Sequence, residues 1–361
     1  MSDLKDHSLA EAELLDSRWT AHLDDYVIAA AWSAGEQMLA AASISGEIVF
    51  FTPDSEKSEI RHGSTHVLGI SSLSWHPRYP LLASSGQDGQ IKIWSEGRLW
   101  SQVETRDSWI EKVAWSPDGQ WLAAAAGRQI HLWELQGVYG ELEPYFVSPE
   151  HANTLSDIVW RPGQHPSPGP PEVAAACYSQ ISFWQPNAND PTRLLTWQGT
   201  PLALAWSPDG RYFVCGEQDA TLHLWMLPSE QELAMSGYPE KIREVAWDST
   251  SRLLASSGGI SITIWDFGDQ GPEGSEPMGL EAHLGSITAL AFQEDGPLLA
   301  SGGREGMLAV WNPFAGQDVL FVDYYEDNEI SCLSWSGRDS YLVAGTADGR
   351  VALYTSPIVH C

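Results

Sequence analysis

The sequence predicts an all-β chain folded as one ring of eight stacked sheets, a β-propeller. Two periodic features predict it. An aromatic residue closes a short apolar run eight times, at Trp32, Trp75, Trp115, Trp160, Trp206, Trp247, Phe292 and Trp335, with spacings of 40 to 46 residues. A second series, ending at Phe51, Trp94, Trp133, Trp184, Trp225, Trp265, Trp311 and Tyr354, stays in phase with the first. Small apolar segments such as LLASS, WLAAAA, YFVCG and LLASG lie between the two.

Each cycle therefore reads as three short strands. The runs are too short for helices and alternate as half-buried strands do. SPDG at 116–119 and 207–210 marks a turn, and QDG and ADG mark tight hairpins. One such sheet is apolar on both faces and cannot bury both alone. Stacking the sheets and closing the stack into a ring covers every face. Aromatic residues at two fixed places per unit then fill the space between neighbouring sheets.

The pattern resembles the WD-repeat β-propellers over about residues 15 to 356. A repeat of that family carries a His about nine residues before the first aromatic anchor. A Ser, an Asp in the tight hairpin and the closing Trp follow, and the resemblance implies that these four form a buried hydrogen-bonded set. The second cycle holds all four as His66, Ser84, Asp88 and Trp94; the seventh holds His283, Ser301, Glu305 and Trp311, with Glu for Asp. The set decays elsewhere: Cys215 stands at the Ser place before Asp219, Trp197 replaces the His, and Tyr354 replaces the closing Trp. His22, His66, His151 and His283 are read as sharing one slot in four blades.

Eight cycles imply eight four-stranded blades; seven blades is the alternative and leaves a patterned segment without a place. The last cycle has only three strands, so ELLDSRWT (13–20) is expected to supply the fourth and close the ring. Residues 1–12 are then an acidic tail and 13–361 the propeller. Insertions at 137–145, 161–172 and 266–279 read as lengthened loops.

Nineteen Lys and Arg oppose 48 Asp and Glu, a net charge of -29. That field repels phosphate backbones and anionic lipid and suits a basic partner. The acidic N-terminus has no apolar signal core, and no apolar run approaches the ~18 residues of a membrane span. Four cysteines without metal spacing read as reduced thiols, and the protein as cytoplasmic and monomeric on its own.

Phosphate-cradling Gly-x-x-x-x-Gly-Lys, zinc-binding His-Glu-x-x-His and Gly-x-Ser-x-Gly motifs are absent. No catalytic residue, cofactor or metal site is assigned. The function expected is a non-enzymatic scaffold binding partner proteins on the propeller rim. The alternative is a metal-handling or small-ligand propeller, for which His7, His360 and Cys361 are the one terminal grouping.

In the family, partners sit on the face of the loops that enter the inner strands. The residues six before the anchors should ring the opening there: Tyr26, Gly69, Trp109, Thr154, Thr200, Lys241, Ser286 and Glu329. Tyr26, Trp109 and Trp197 are aromatic anchor candidates, and Lys241 is the ring's one cation. Blades one and eight adjoin in a closed ring. Asp24, Asp25, Glu326, Asp327 and Glu329 are thus expected to form one acidic seam beside Tyr26, Tyr324 and Tyr325, suited to an Arg- or Lys-bearing peptide.

Overall fold

The computed structural model describes residues 14–356, apart from 55–58, 106–108, 138–140, 164–169, 228, 230, 269–270, 273 and 327. The expected tail, His7, His360, Cys361 and Asp327 thus lie outside the described residues. The described strands form eight four-stranded antiparallel sheets, so the seven-bladed alternative falls. In blade two the inner strand Ile70–Trp75 pairs with Leu81–Gly86, which pairs with Gln90–Ser95 and then with Arg98–Glu104. The other inner strands are Val27–Trp32, Ile110–Trp115, Leu155–Trp160, Pro201–Trp206, Val245–Trp247, Ile287–Phe292 and Ile330–Trp335.

The last blade takes its outer strand from the start of the chain. Asp16–His22 runs antiparallel to Arg350–Thr355, with Asp16 opposite Thr355 and His22 opposite Arg350. The strand begins three residues later than the expected stretch, because Leu15 is used as a buried plug in the last seam. The expected loop at 137–145 also needs correction. Residues Leu142–Val147 are the outer strand of blade three, and Pro144 is tolerated there because an outermost strand leaves one row of amides unpaired.

The core is divided among the seams. Eight apolar clusters of described residues each join two successive blades, including one that joins blade eight to blade one. Each fully buried Leu, Ile or Phe in them contributes about 1.5–3 kcal/mol. The anchor tryptophans are wedges with a polar tip. Trp75 Nε1 donates to Ala31 O at 2.9 Å, Trp160 Nε1 to Ala114 O at 2.9 Å, and Trp335 Nε1 to Ala291 O at 3.1 Å. In each pair the acceptor belongs to the preceding blade's inner strand, one residue before its own anchor.

Within the blades one seat is filled by several chemistries. In blade two the His66 ring joins Asp88 Oδ1 at 3.0 Å and Ser84 Oγ at 2.9 Å, and Trp94 Nε1 donates to the same hydroxyl at 2.9 Å. Blade seven repeats this with Glu305 at 2.7 Å, Ser301 at 2.8 Å and Trp311. Burial keeps both imidazoles below their ordinary pKa, so they sit neutral between hydroxyl and carboxylate. Blade four uses His151, Ser182 and Trp184, the serine now coming from the third strand. Blade six puts Tyr238 in the His place, bonded to Ser256 and Trp265. In blade one the slot belongs to Leu23, which is buried, and not to His22, which is exposed one residue earlier on the closing strand.

A candidate partner-binding face

Hairpins between second and third strands, and loops from each outer strand to the next inner strand, share one face of the ring, the upper face. The eight residues that precede the inner segments lie there. Two of its loops are held by the buried sets just described. Asp88 Oδ2 accepts from Val67 N at 3.1 Å, and Glu305 accepts from Leu284 N at 3.4 Å and from Gly285 N at 2.9 Å. Those amides carry the most exposed apolar side chains described: Val67 is 83% and Leu284 87% exposed, with Leu68 at 63%. The Val67 and Leu284 amides are held by half-buried carboxylates while the side chains stand in water.

Ile44, on the hairpin of blade one, lies against the blade-two loop that carries Val67 and Leu68. Thr65 N donates to Gly46 O at 2.7 Å and Ile44 N to Tyr26 O at 2.9 Å. The approach is so close that a Cβ on Gly69, at φ +98°, would come within 2.4 Å of Ile44 O, and one on Gly46, at φ +107°, within 2.5 Å of His66 O. Only glycine fits either place. Trp109 is the next aromatic along the rim. It is half exposed, its carbonyl accepts from Gly127 N, and its indole bonds the Glu111 carboxylate.

The seam between blades eight and one brings some of the sequence candidates together. Tyr26 OH donates to Glu329 Oε1 at 3.5 Å, and burial followed by the Glu329 charge pushes its pKa up to about 12. Glu329 also meets Arg304 Nε at 3.3 Å. Asp25 and Glu326 are exposed, and Tyr324 stands out from the end of the blade-seven outer strand. Lys241 is half-buried at the mouth of blade six.

Two candidates turn inward instead, and a third, the exposed Asp24, is spent on its own hairpin. Tyr325 is 4% exposed; its hydroxyl meets that of Tyr354, which donates to Asp323 at 2.6 Å, so this tyrosine fills the polar seat of blade eight. Trp197 Nε1 donates to Glu217 Oε1 at 2.9 Å and its ring lies 5.4 Å from Trp225, which makes it the polar centre of blade five rather than a surface anchor. Asp24 Oδ1 accepts from Ser43 and Ser45, and its amide donates to Glu47, which binds Arg61; it holds the blade-one hairpin. In each case the polar atoms are consumed within the blade, which a position in the repeat does not disclose.

Sequence reasoning missed the exposed apolar side chains of Ile44, Val67 and Leu68 at blades one and two, and of Leu284 at blade seven. The signal was present: two apolar residues follow His66 and one follows His283, where the chain must be leaving the core. Among the described residues no three His, Cys, Asp or Glu side chains converge as a metal site requires.

Comparison with known proteins agrees with this architecture. The family described as WD domain, G-beta repeat matches residues 57–95, 100–134, 191–226, 274–312 and 321–355, just over half of the chain. The nuclear distribution protein PAC1 of Arthroderma otae is 25% identical over 331 residues, covering 80% of this chain and 70% of PAC1. The guanine nucleotide-binding protein subunit beta of Zea mays is 23% identical over 335 residues, covering 79% of this chain and 80% of the subunit. WD repeat-containing protein 90 of Homo sapiens is 28% identical over 253 residues, which is 67% of this chain but 14% of the human protein. Among solved structures, Saccharomyces cerevisiae Sqt1 superimposes with a TM-score of 0.79 at 14% identity, covering 95% of this chain and 100% of that chain. The computationally designed Ika8 protein does so with 0.75 at 20% identity, covering 92% and 97%. The matched repeats, the eight closed blades and the His–Ser–Trp sets together place this chain in the WD-repeat family.

Proposed function

We propose that this propeller is a non-enzymatic scaffold whose upper face docks partner proteins, and that the partner's contacting segment is apolar with basic flanks. One observation carries the reading: Val67 and Leu284, with Leu68 beside Val67, stand out into water on loops whose amides at Val67, Leu284 and Gly285 are bound by the half-buried carboxylates of Asp88 and Glu305. Ordered apolar side chains cost a monomer solubility, and they lose little entropy when a partner covers them. Asp25, Glu326 and the -29 net charge supply the complement for basic flanks and would steer them in. The maize relative is by name a subunit of a larger protein, which supports a role in assembly. A reducing, cytoplasmic setting suits the unpaired Cys177, Cys215 and Cys332.

The test is quantitative capture with the intact protein against Val67→Asp with Leu68→Asp, and separately against Asp25→Lys with Glu326→Lys. We expect the apolar pair to lose a reproducible set of proteins while the fold, read by circular dichroism, persists. We expect the charge pair to weaken capture of basic members and to flatten its salt dependence. An unchanged set on both variants puts the docking surface elsewhere.

A further inference from the structure

Each blade ends in an outer strand that pairs on one side only among the described strands. Such an edge accepts a foreign strand unless something discourages it. In seven blades the outer strand carries a charged side chain that reaches solvent, as Arg61, Glu104, Glu143 and Glu281 do. The outer strand of blade seven, Val319–Tyr324, is the exception. It holds no Pro, Gly, Lys or Arg, and its one acid, Asp323, is half-buried and accepts from the Tyr354 hydroxyl at 2.6 Å. Exposure alternates along it: Leu320, Val322 and Tyr324 stand in water, while Val319, Phe321 and Asp323 are half-buried.

The backbone offers donors and acceptors beside those side chains. Met307 lies opposite Tyr324, Leu308 opposite Asp323 and Ala309 opposite Val322, and Tyr325 N donates to Gly306 O at 2.9 Å. Antiparallel pairs alternate between those that exchange hydrogen bonds and those that do not. That phase gives the inward bonds to Phe321 and Asp323. It turns the N–H and C=O of Val322, and the C=O of Tyr324, out to the open edge. The outward Tyr324 N–H is capped by Asp323 Oδ1 at 2.8 Å. An extra residue at Leu320 interrupts the ladder, so the regular part of the edge runs from Phe321 to Tyr324.

We propose that this edge takes a fifth strand from a partner protein: an extended segment, apolar at alternate residues, with a Lys or Arg at each end. The outward groups of Val322 supply main-chain bonds, and the row of Leu320, Val322 and Tyr324 selects apolar side chains at every second place. The ends are set by charge. Asp318 and Glu326, both exposed, bracket the strand four residues to either side of Val322. A second copy of this chain is disfavoured by the same placement. Antiparallel pairing about Val322 lays Leu320 against Tyr324, but it also brings Asp318 of one copy towards Glu326 of the other at both ends, and like charges opposite each other are destabilising. Each copy carries a net charge of -29 besides. Basic ends make both interactions attractive. The edge lies on the perimeter of blade seven, and the inference does not rest on the docking reading above.

The experiment titrates the intact protein with a capped nine-residue peptide of alternating threonine and valine that has a lysine at each end. A second peptide has glutamate at both ends. A third keeps the lysines but carries N-methyl groups on its valine amides, which removes donors and leaves every side chain. We expect only the first to bind. At tenfold its Kd it should slow amide exchange at Val322 about tenfold and leave the outer strand of blade two unchanged. Val322→Lys, at an exposed position and with its fold checked by circular dichroism, should weaken that binding about tenfold. Val67→Asp with Leu68→Asp should bind the peptide as the parent does. Absence of binding, equal binding by the glutamate or N-methyl peptide, protection elsewhere in place of Val322, or parental affinity in Val322→Lys overturns the proposal. So does a dimer of the unsubstituted protein in sedimentation that Val322→Lys dissociates, which gives the edge to a second copy. Loss of the peptide in the Val67 and Leu68 variant also overturns it, by moving the peptide to the upper face; the edge and the docking face therefore fail separately.

Discussion

Trp32 Nε1, in the first blade, donates to the carbonyl of Ser334, in the last, at 3.2 Å. The two residues are three hundred positions apart in the chain, and the bond is the same one that Trp75 makes to Ala31. Ring closure thus reuses the ordinary inter-blade contact. Trp32→Phe leaves an aromatic ring to stack on Tyr341, whose ring lies 5.6 Å away, and removes the donor together with one ring's worth of packing, for which the control below corrects. We expect it to cost about 1 kcal/mol, read as a melting temperature lower by ~2–4 °C. Trp115→Phe is the control, because Trp115 Nε1 has no partner among the described residues. If the two variants melt together, the hydrogen bond contributes nothing.

Removing residues through His22 should have a much larger effect. It strips the outer strand from blade eight and opens the seam cluster that contains Trp19 and Leu23. It also exposes Arg350–Thr355 as an unpaired edge. We expect a sharp fall in melting temperature and concentration-dependent association in sedimentation. A truncated chain that melts with the intact one would show the strand to be dispensable.

Ser84→Ala should strand two buried groups at once, the Trp94 indole N–H and the second nitrogen of His66. Each unsatisfied group costs about 1–3 kcal/mol. Ala124 already occupies the matching place in blade three. Amide exchange should therefore be slowest in blades two and seven, close behind in blades four and six, and fastest in blade three. Uniform protection around the ring would contradict this order.

Stability should decline on the alkaline side. Glu244 binds its proton more tightly in the folded chain than at its ordinary value of 4.5, and burial raises Glu217 as well. For a carboxyl so raised, the contribution is complete below the ordinary value and is lost as pH climbs through the folded one, here about 8 for Glu244. Glu244→Gln should melt like the parent near pH ~5 and hold its melting temperature better near pH ~9. Parallel melting curves at both pH values would remove Glu244 as the cause.

The blade count was legible because Trp75 and its counterparts recur at fixed phase, and packing demands that. The site was less so. Tyr26 and Glu329 meet because both precede an inner strand in adjoining blades, which counting alone reveals. Tyr325 was unreadable: YYEDNE shows two tyrosines, and only the three-dimensional seat left by Tyr354 decides which one turns in. Trp197 misled for the same reason, since an indole in the His slot either replaces the His or escapes it. Glu244 left a trace that went unused. IEKVAW, LSDIVW and IREVAW each place a charge inside an otherwise apolar run, a local conflict that marks a special environment.

Asp16 lies directly across from Thr355, at the edge of the disc opposite the loops that carry Val67 and Leu284. Both described ends of the chain therefore leave from the underside, side by side. Joining them with a short linker and cutting at the blade-four hairpin near Tyr178 should yield a circular permutant with the same ring. Anchoring the natural chain through either end to a sensor surface would leave the whole opposite side facing the bulk solution.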